Sequence, residues 1–179
     1  MVGEDLGNIP EGLRDALEES GILGCRVAQF ERIWDAAEIT FRPADDYAAA
    51  ALTSFGTHDL PTWEGWKAGR DLDWRRDLGH IDAEAHREAL AERRETVRVF
   101  CETIGGAGVD DLHRFLGATP SRLVACQIED LMGRVEQPNL PGTVHDHPNW
   151  RRRLGVAPDT LGQLDALART ANIMAQADR

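Results

Sequence analysis

The sequence predicts an α/β fold on a parallel sheet, and three observations predict it. Short apolar runs alternate with stretches of helical periodicity, the pattern of strands joined by helical crossovers. One of those runs, Ala48-Ala49-Ala50-Ala51-Leu52, leads to adjacent His58 and Asp59, followed by Pro61 and a helix-like segment from Glu64. Such a run presents both side chains at the carboxyl edge of a sheet, where α/β proteins bind ligands. The chain also opens abruptly: Val2-Gly3-Glu4-Asp5-Leu6-Gly7 reads as the end of a strand and the turn after it, with Glu4 and Asp5 at the strand's carboxyl end.

The elements follow in order. Pro10 suits the first turn of a helix that Gly21 ends, with Leu13, Ala16, Leu17 and Ser20 on one face. Residues 24–30 read as a strand, 34–47 as a loop containing Pro43, and 49–55 as the next strand. Trp63 and Trp66, three apart, share a helix face in the segment that runs to Trp74. Residues 82–102 read as a long helix, Leu90, Val97 and Cys101 inward and Glu92, Arg93, Arg94 and Glu95 in solvent. The glycine-rich 105–108 segment breaks it. That segment lacks a phosphate-loop lysine and follows a helix, so it is a linker. A short helix over 110–116, a strand over 121–126, a Pro- and Gly-containing loop over 136–149 and a terminal helix over 159–175 complete the chain. Leu161, Leu164, Leu167 and Ile173 lie on or near one face of the last. About four strands are too few to close a barrel of eight, which points to the carboxyl-terminal part of a larger α/β domain.

Composition excludes several classes. A chain of 179 residues with 42% hydrophobic and 28% charged residues has the makings of one folded domain rather than a disordered segment. A net charge of −11 opposes a nucleic-acid surface, and the short Arg151-Arg152-Arg153 cluster does not reverse it. The cysteines, Cys25, Cys101 and Cys126, sit in apolar company without CxxC spacing, as reduced thiols of a cytoplasmic protein do. No apolar run reaches membrane-spanning length.

Two carboxylates at strand ends, Glu4 and Asp59, are the raw material for retaining glycoside chemistry, which needs an acid for the leaving oxygen and a carboxylate at the sugar carbon. Tryptophans (Trp34, Trp63, Trp66, Trp74 and Trp150) offer flat apolar faces to sugar rings or simply fill a core. Asp59 also serves equally as a helix cap beside a histidine that satisfies it. His145-Asp146-His147 with His58-Asp59 carries metal-ligand types, so a metal-dependent hydrolase is an alternative. Pro141, Gly142 and Pro148 make that segment a loop with no third histidine at a recognisable spacing.

Three blocks resemble the 4-alpha-glucanotransferases (amylomaltases, or disproportionating enzymes, of the α-amylase-like barrel group). The first is Gly3-Glu4-Asp5-Leu6-Gly7 with Pro10-Glu11, then Gly24-Cys25-Arg26-Val27-Ala28-Gln29-Phe30. The second is Gly56-Thr57-His58-Asp59-Leu60-Pro61-Thr62, followed by Gly65-Trp66. The third is Glu129-Asp130-Leu131-Met132-Gly133, then Gln137-Pro138-Asn139-Leu140-Pro141-Gly142-Thr143 and His147-Pro148-Asn149-Trp150-Arg151. The resemblance implies the C-terminal half of a (β/α)8 TIM barrel, about strands 5–8, as a single partial domain over 1–179. It implies no cofactor and a substrate of maltooligosaccharides or starch- and glycogen-derived glucans. Glu4 is then the general acid/base, its proton held by nearby Asp5 and a second carboxylate, and Asp59 the transition-state stabiliser. His58, Asn139 and Trp66 are then substrate-binding residues. The family's nucleophile, an aspartate in an Arg-x-Asp-His motif, has no counterpart in these 179 residues. The resemblance therefore also admits a non-catalytic glucan-binding or scaffold half-barrel, self-associating through an open sheet edge.

Overall fold

The computed structural model describes residues 1–34 and 38–179; residues 35–37, within the loop expected over 34–47, lie outside the described residues. Three parallel strands form the sheet: β1 (Gly24–Val27), β2 (Ala51–Ser54) and β3 (Leu123–Ala125), in the spatial order β1-β2-β3. Spatial order repeats chain order, and an isolated parallel bridge, Val2 with Leu23, continues the series on the β1 side. Neighbours added in sequence with no reversal are the winding of a barrel sector, in contrast to the reversal that makes a doubly wound sheet. The expected first strand is thus reduced to the Val2 bridge, and the other strands are shorter than expected. Beyond Val27 the chain turns into a short 3-10 segment, Ala28–Phe30.

Register fixes the two faces of the sheet. Cys25 lies beside Leu52, which lies beside Leu123; Ser54 lies beside Ala125. Alternation puts these side chains on one face and Ala51, Thr53 and Phe55 on the other. Phe55 enters the aromatic core, 5.1 Å from the Trp63 ring and 5.6 Å from that of Trp66. Phe100 and Phe115 complete the cluster, each ring edge set against a neighbour's face, an arrangement favoured by the aromatic quadrupole. On the opposite face Leu123 remains 45% exposed, so that face is open to solvent in this chain.

Helices flank the sheet. α1 (Leu13–Glu19) buries no residue, so its expected packing face is only Leu13 and Leu17, both half-buried. The segment expected as one stretch from Trp63 to Trp74 is two helices, α2 (Trp63–Ala68) and α3 (Arg70–Asp77), because Gly69 between them adopts φ +72°. α4 (Ala83–Ile104) starts at Asp82, whose carboxylate accepts the N–H groups of Glu84 and Ala85, and stops at Gly105. Its fully buried positions are His86, Thr96, Phe100 and Ile104; the expected Leu90, Val97 and Cys101 are half-buried, with Val97 and Cys101 packed against the aromatic core. Arg93 is not in free solvent: it makes a two-pronged ion pair with Asp71 at 2.8 and 2.9 Å and donates to the Trp66 carbonyl. α5 (Val109–Ala118) packs against α7 (Asp165–Gln176), where Thr170 Oγ1 lies 3.1 Å from His113 Nδ1. Between β3 and the long loop sits one helical turn, α6 (Ile128–Leu131). No helix among the described residues is long and apolar enough to cross a membrane.

Candidate functional site

Beyond the carboxyl ends of β2 and β3 lies an open cleft of about 1040 Å³. Ser54, His58, Gln127, Glu136, Trp150 and Arg152 are among the residues that line it. Gly56 is closely flanked by side chains. A Cβ on Gly56 would stand 2.9 Å from Gln29 Nε2 and 3.2 Å from Gln127 Oε1, so the chain leaves β2 between two side-chain amides.

The next residues carry the site. Asp59 Oδ1 accepts from Asn139 Nδ2 at 2.6 Å and lies 3.3 Å from His58 Nε2. Asn139 also donates its backbone N–H to the His58 carbonyl at 3.2 Å, and Gln137 Nε2 donates to the Asp59 carbonyl at 3.3 Å. Side chains 80 residues apart thus form one polar group, and His58 and Asp59 keep 59% and 45% of their surface in solvent. A carboxylate held by an amide and an imidazole, yet still wet, is suited to gripping sugar hydroxyls.

The loop supplying Asn139 is organised by Asn149. Its Oδ1 accepts from the Leu140 N–H and sits 2.6 Å from His147 Nδ1, and its Nδ2 donates to Thr143 O and Oγ1. Trp150 follows with φ +59°, a left-handed conformation that costs a bulky residue energy. It is 65% exposed, and its ring centroid lies 5.1 Å from that of His58. An apolar ring held in a strained backbone thus stands at the mouth of a polar cleft, where it can serve as an aromatic platform.

Trp66 is not that platform. It is buried at 4% exposure, stacked on Trp63 with ring centroids 5.9 Å apart, and corrects the expectation of a sugar-facing side chain. The three-residue spacing that pairs it with Trp63 points both rings into the core. Glu4 is exposed, close enough to Cys25 for its charge to act on that thiol, and does not line the cleft. Asp5, adjacent in sequence, is committed to two arginines instead. It is fully buried, accepting from Cys25 N at 2.6 Å, Arg26 at 2.8 Å and Arg14 at 3.0 Å. Burial raises its pKa, but those donors outweigh burial and hold it below the usual carboxylate range.

Sequence reasoning missed Glu136. It accepts from Arg70 Nε at 2.8 Å and Trp74 Nε1 at 3.0 Å, with Arg152 at 3.2 Å, so it fixes one wall of the cleft. Burial raises its pKa, but these donors overcome burial and leave it lowered. The cysteines are free and half-buried rather than buried. Burial, aided by Asp130, pushes the Cys126 thiol at the cleft floor up to about 11, which makes it a poor nucleophile. Among the described residues no group of three His, Cys, Asp or Glu side chains is placed to hold a metal ion. His147 is buried against Trp74, its ring 4.9 Å from the indole, and is bound to Asn149.

The chain is similar to known proteins along nearly its whole length. Residues 1–157 match a family model described as 4-alpha-glucanotransferase. A 4-alpha-glucanotransferase of Mycobacterium tuberculosis is 36% identical over 172 residues, covering 89% of this chain and 24% of the relative. One of Chlamydia pneumoniae is 38% identical over 161 residues, covering 89% of this chain and 29% of the relative. The amylomaltase of Corynebacterium glutamicum superposes with a TM-score of 0.81 at 29% identity over 97% of this chain and 28% of that one. The amylomaltase of Streptococcus agalactiae in complex with acarbose shares the fold, with a TM-score of 0.68 at 20% identity over 99% of this chain. The chain spans about a quarter of the length of the curated relatives it matches.

Proposed function

The chain belongs to the 4-alpha-glucanotransferase family, and from that premise we propose that it forms the carboxyl-terminal sector, about strands 5–8, of a (β/α)8 barrel that moves α-1,4-glucan segments between maltooligosaccharides. The observation that carries this reading is the cluster of Asp59, His58 and Asn139 beside the exposed Trp150 ring. Asp59 takes hydroxyls of the ring whose bond is cut, and its negative charge favours the oxocarbenium-like state as that ring flattens. His58 and Asn139 hold the Asp59 carboxylate and hydrogen-bond the same sugar. Trp150 offers an apolar face to a neighbouring glucose unit. Glu4 stands outside the cleft of this chain, and only the family resemblance assigns it as the acid that protonates the departing glycosidic oxygen and later deprotonates the acceptor hydroxyl.

The attacking carboxylate has no counterpart here, since no Arg-x-Asp-His motif occurs in these residues. That favours a second reading, in which this chain binds glucans without turning them over. In either case it works in the reducing cytoplasm. β3 has no partner strand on its far side among the described residues, and self-association there is expected to appear as a dimer in gel filtration.

Calorimetric titration of the chain with maltoheptaose tests the glucan site. Saturable binding is expected, weakened about tenfold by Asn139→Ala, which is the loss of about one charge-assisted hydrogen bond. A folded chain that takes up no maltoheptaose, or an Asn139→Ala chain that binds as tightly as the original, overturns the reading.

A further inference from the structure

Glu129-Asp130 stands in the third family-like block, and the reading above gives Asp130 no work. Asp130 is nevertheless 2% exposed, a carboxylate almost wholly withdrawn from water. Its Oδ1 accepts the Trp63 backbone N–H at 2.6 Å, at the first turn of α2. That turn directly follows the segment bearing His58 and Asp59. On the other side, Asp130 belongs to α6, which runs straight into the loop bearing Asn139.

The two segments are stitched along their length. Gln127 Nε2 donates to the Thr57 carbonyl at 3.3 Å, and Thr62 Oγ1 donates to the Arg134 carbonyl at 2.5 Å. Gln137 and Asn139 close the far end on Asp59 and His58. Within this seam Asp130 supplies a buried carboxyl acceptor, whose hold is strongest when ionised and whose loss leaves the Trp63 N–H without a partner.

We propose that Asp130 is a positioning residue for the glucan site: by holding the Trp63 N–H it locks the His58–Asp59 segment against the Asn139 loop, and so sets the Asn139–Asp59 contact. It touches no sugar. This deepens the glucan-transfer reading and rests on it only for the ligand. The seam accounts for keeping a carboxyl group where burial pushes its pKa to about 7, offset in part by the Trp63 N–H and reinforced by the charges of Glu129 and Glu64. Ionisation of Asp130 strengthens its hold on the Trp63 N–H, so a change at Asp130 is felt at Asn139 if the seam transmits it.

The test follows two amides by nuclear magnetic resonance, the backbone N–H of Trp63 and the side-chain NH₂ of Asn139, between pH 5 and 9. The spectra are recorded in a His58→Gln chain, so that the imidazole contributes nothing. Both signals are expected to move with one shared midpoint, and both movements are expected to vanish in the added Asp130→Asn variant. Alongside, Asp130→Ala in the original chain is expected to weaken maltoheptaose binding about tenfold, while Asp130→Asn, which keeps the acceptor, stays within about twofold. If Asp130→Ala does not fold, the titration of the first pair carries the test alone. An Asn139 signal that ignores both pH and Asp130→Asn overturns the proposal and leaves Asp130 a helix cap only. Coupled titration in a chain that binds no maltoheptaose supports the seam and overturns the glucan reading instead.

Discussion

Gly65→Ala is expected to destabilise the chain by about 2–3 kcal/mol, against the sign that helix propensity gives. Alanine at a helix interior ordinarily gains up to about 1 kcal/mol over glycine. At position 65 the added methyl would lie 2.2 Å from the Val135 carbonyl oxygen and 2.9 Å from Thr62 Oγ1. Neither neighbour can give way cheaply. The Val135 carbonyl is backbone, and Thr62 Oγ1 caps the same helix by accepting the Gly65 N–H at 3.1 Å. To make room, α2 must move off the 134–135 segment, which breaks the cap and the Thr62 bond to Arg134 together. A melting experiment checks this, with a loss of roughly 5–10 °C for a chain of this size. Gly162→Ala is the control: nothing lies within 4 Å of its added methyl, and its melting temperature should stay close to that of the original. A Gly65→Ala chain that melts no lower than the original would mean that α2 does not press on that segment.

The second large effect is on turnover. The purified chain is expected to release no glucose from maltotriose above a blank. Retention proceeds through a covalent glycosyl-enzyme, and that bond needs an attacking carboxylate. Glu4 is assigned to proton transfer. Asp59 is engaged with Asn139 and His58, and in the roles proposed above it is a stabiliser rather than an attacker. The Cys126 thiol at the cleft floor is raised to about 11 and stays protonated at neutral pH. Removal of a nucleophile from an otherwise intact enzyme costs on the order of a millionfold in rate. Disproportionation by the chain alone at ordinary enzyme rates, about 1–10³ per second, would refute this assignment of roles.

What could be read from residue order was whatever local chemistry encodes. The strands announced themselves as apolar runs bounded by glycine or by the His58–Asp59 turn. Asp82 and Gly105 marked the ends of the longest helix with their caps. Its inward face was harder, because a count of apolar residues does not see buried polar pairs. His86 faces inward to reach Asp73 at 2.9 Å, and Arg93 turns in to grip Asp71. Asn139 was suggested only by resemblance to a family. Its contact with Asp59 joins positions 80 apart in sequence, and no periodicity reports such a meeting. Trp66 misled for a related reason: an aromatic near a polar motif reads equally as sugar platform or as core, and depth in the fold decides between them. Trp150 combines an exposed ring with a left-handed backbone, and no residue pattern foretells either.

The distribution of indoles makes the chain its own optical probe. Trp63 and Trp66 are sealed in the aromatic core, beyond the reach of iodide or acrylamide. Trp150 stands at the cleft mouth against an imidazole, a group that drains excited-state energy from an indole it touches. Trp34, the other strongly exposed indole, faces a different groove. A fluorescence change on adding an oligosaccharide, accompanied by shielding from quencher, is therefore a signal from the mouth of the cleft, obtained without attaching a dye.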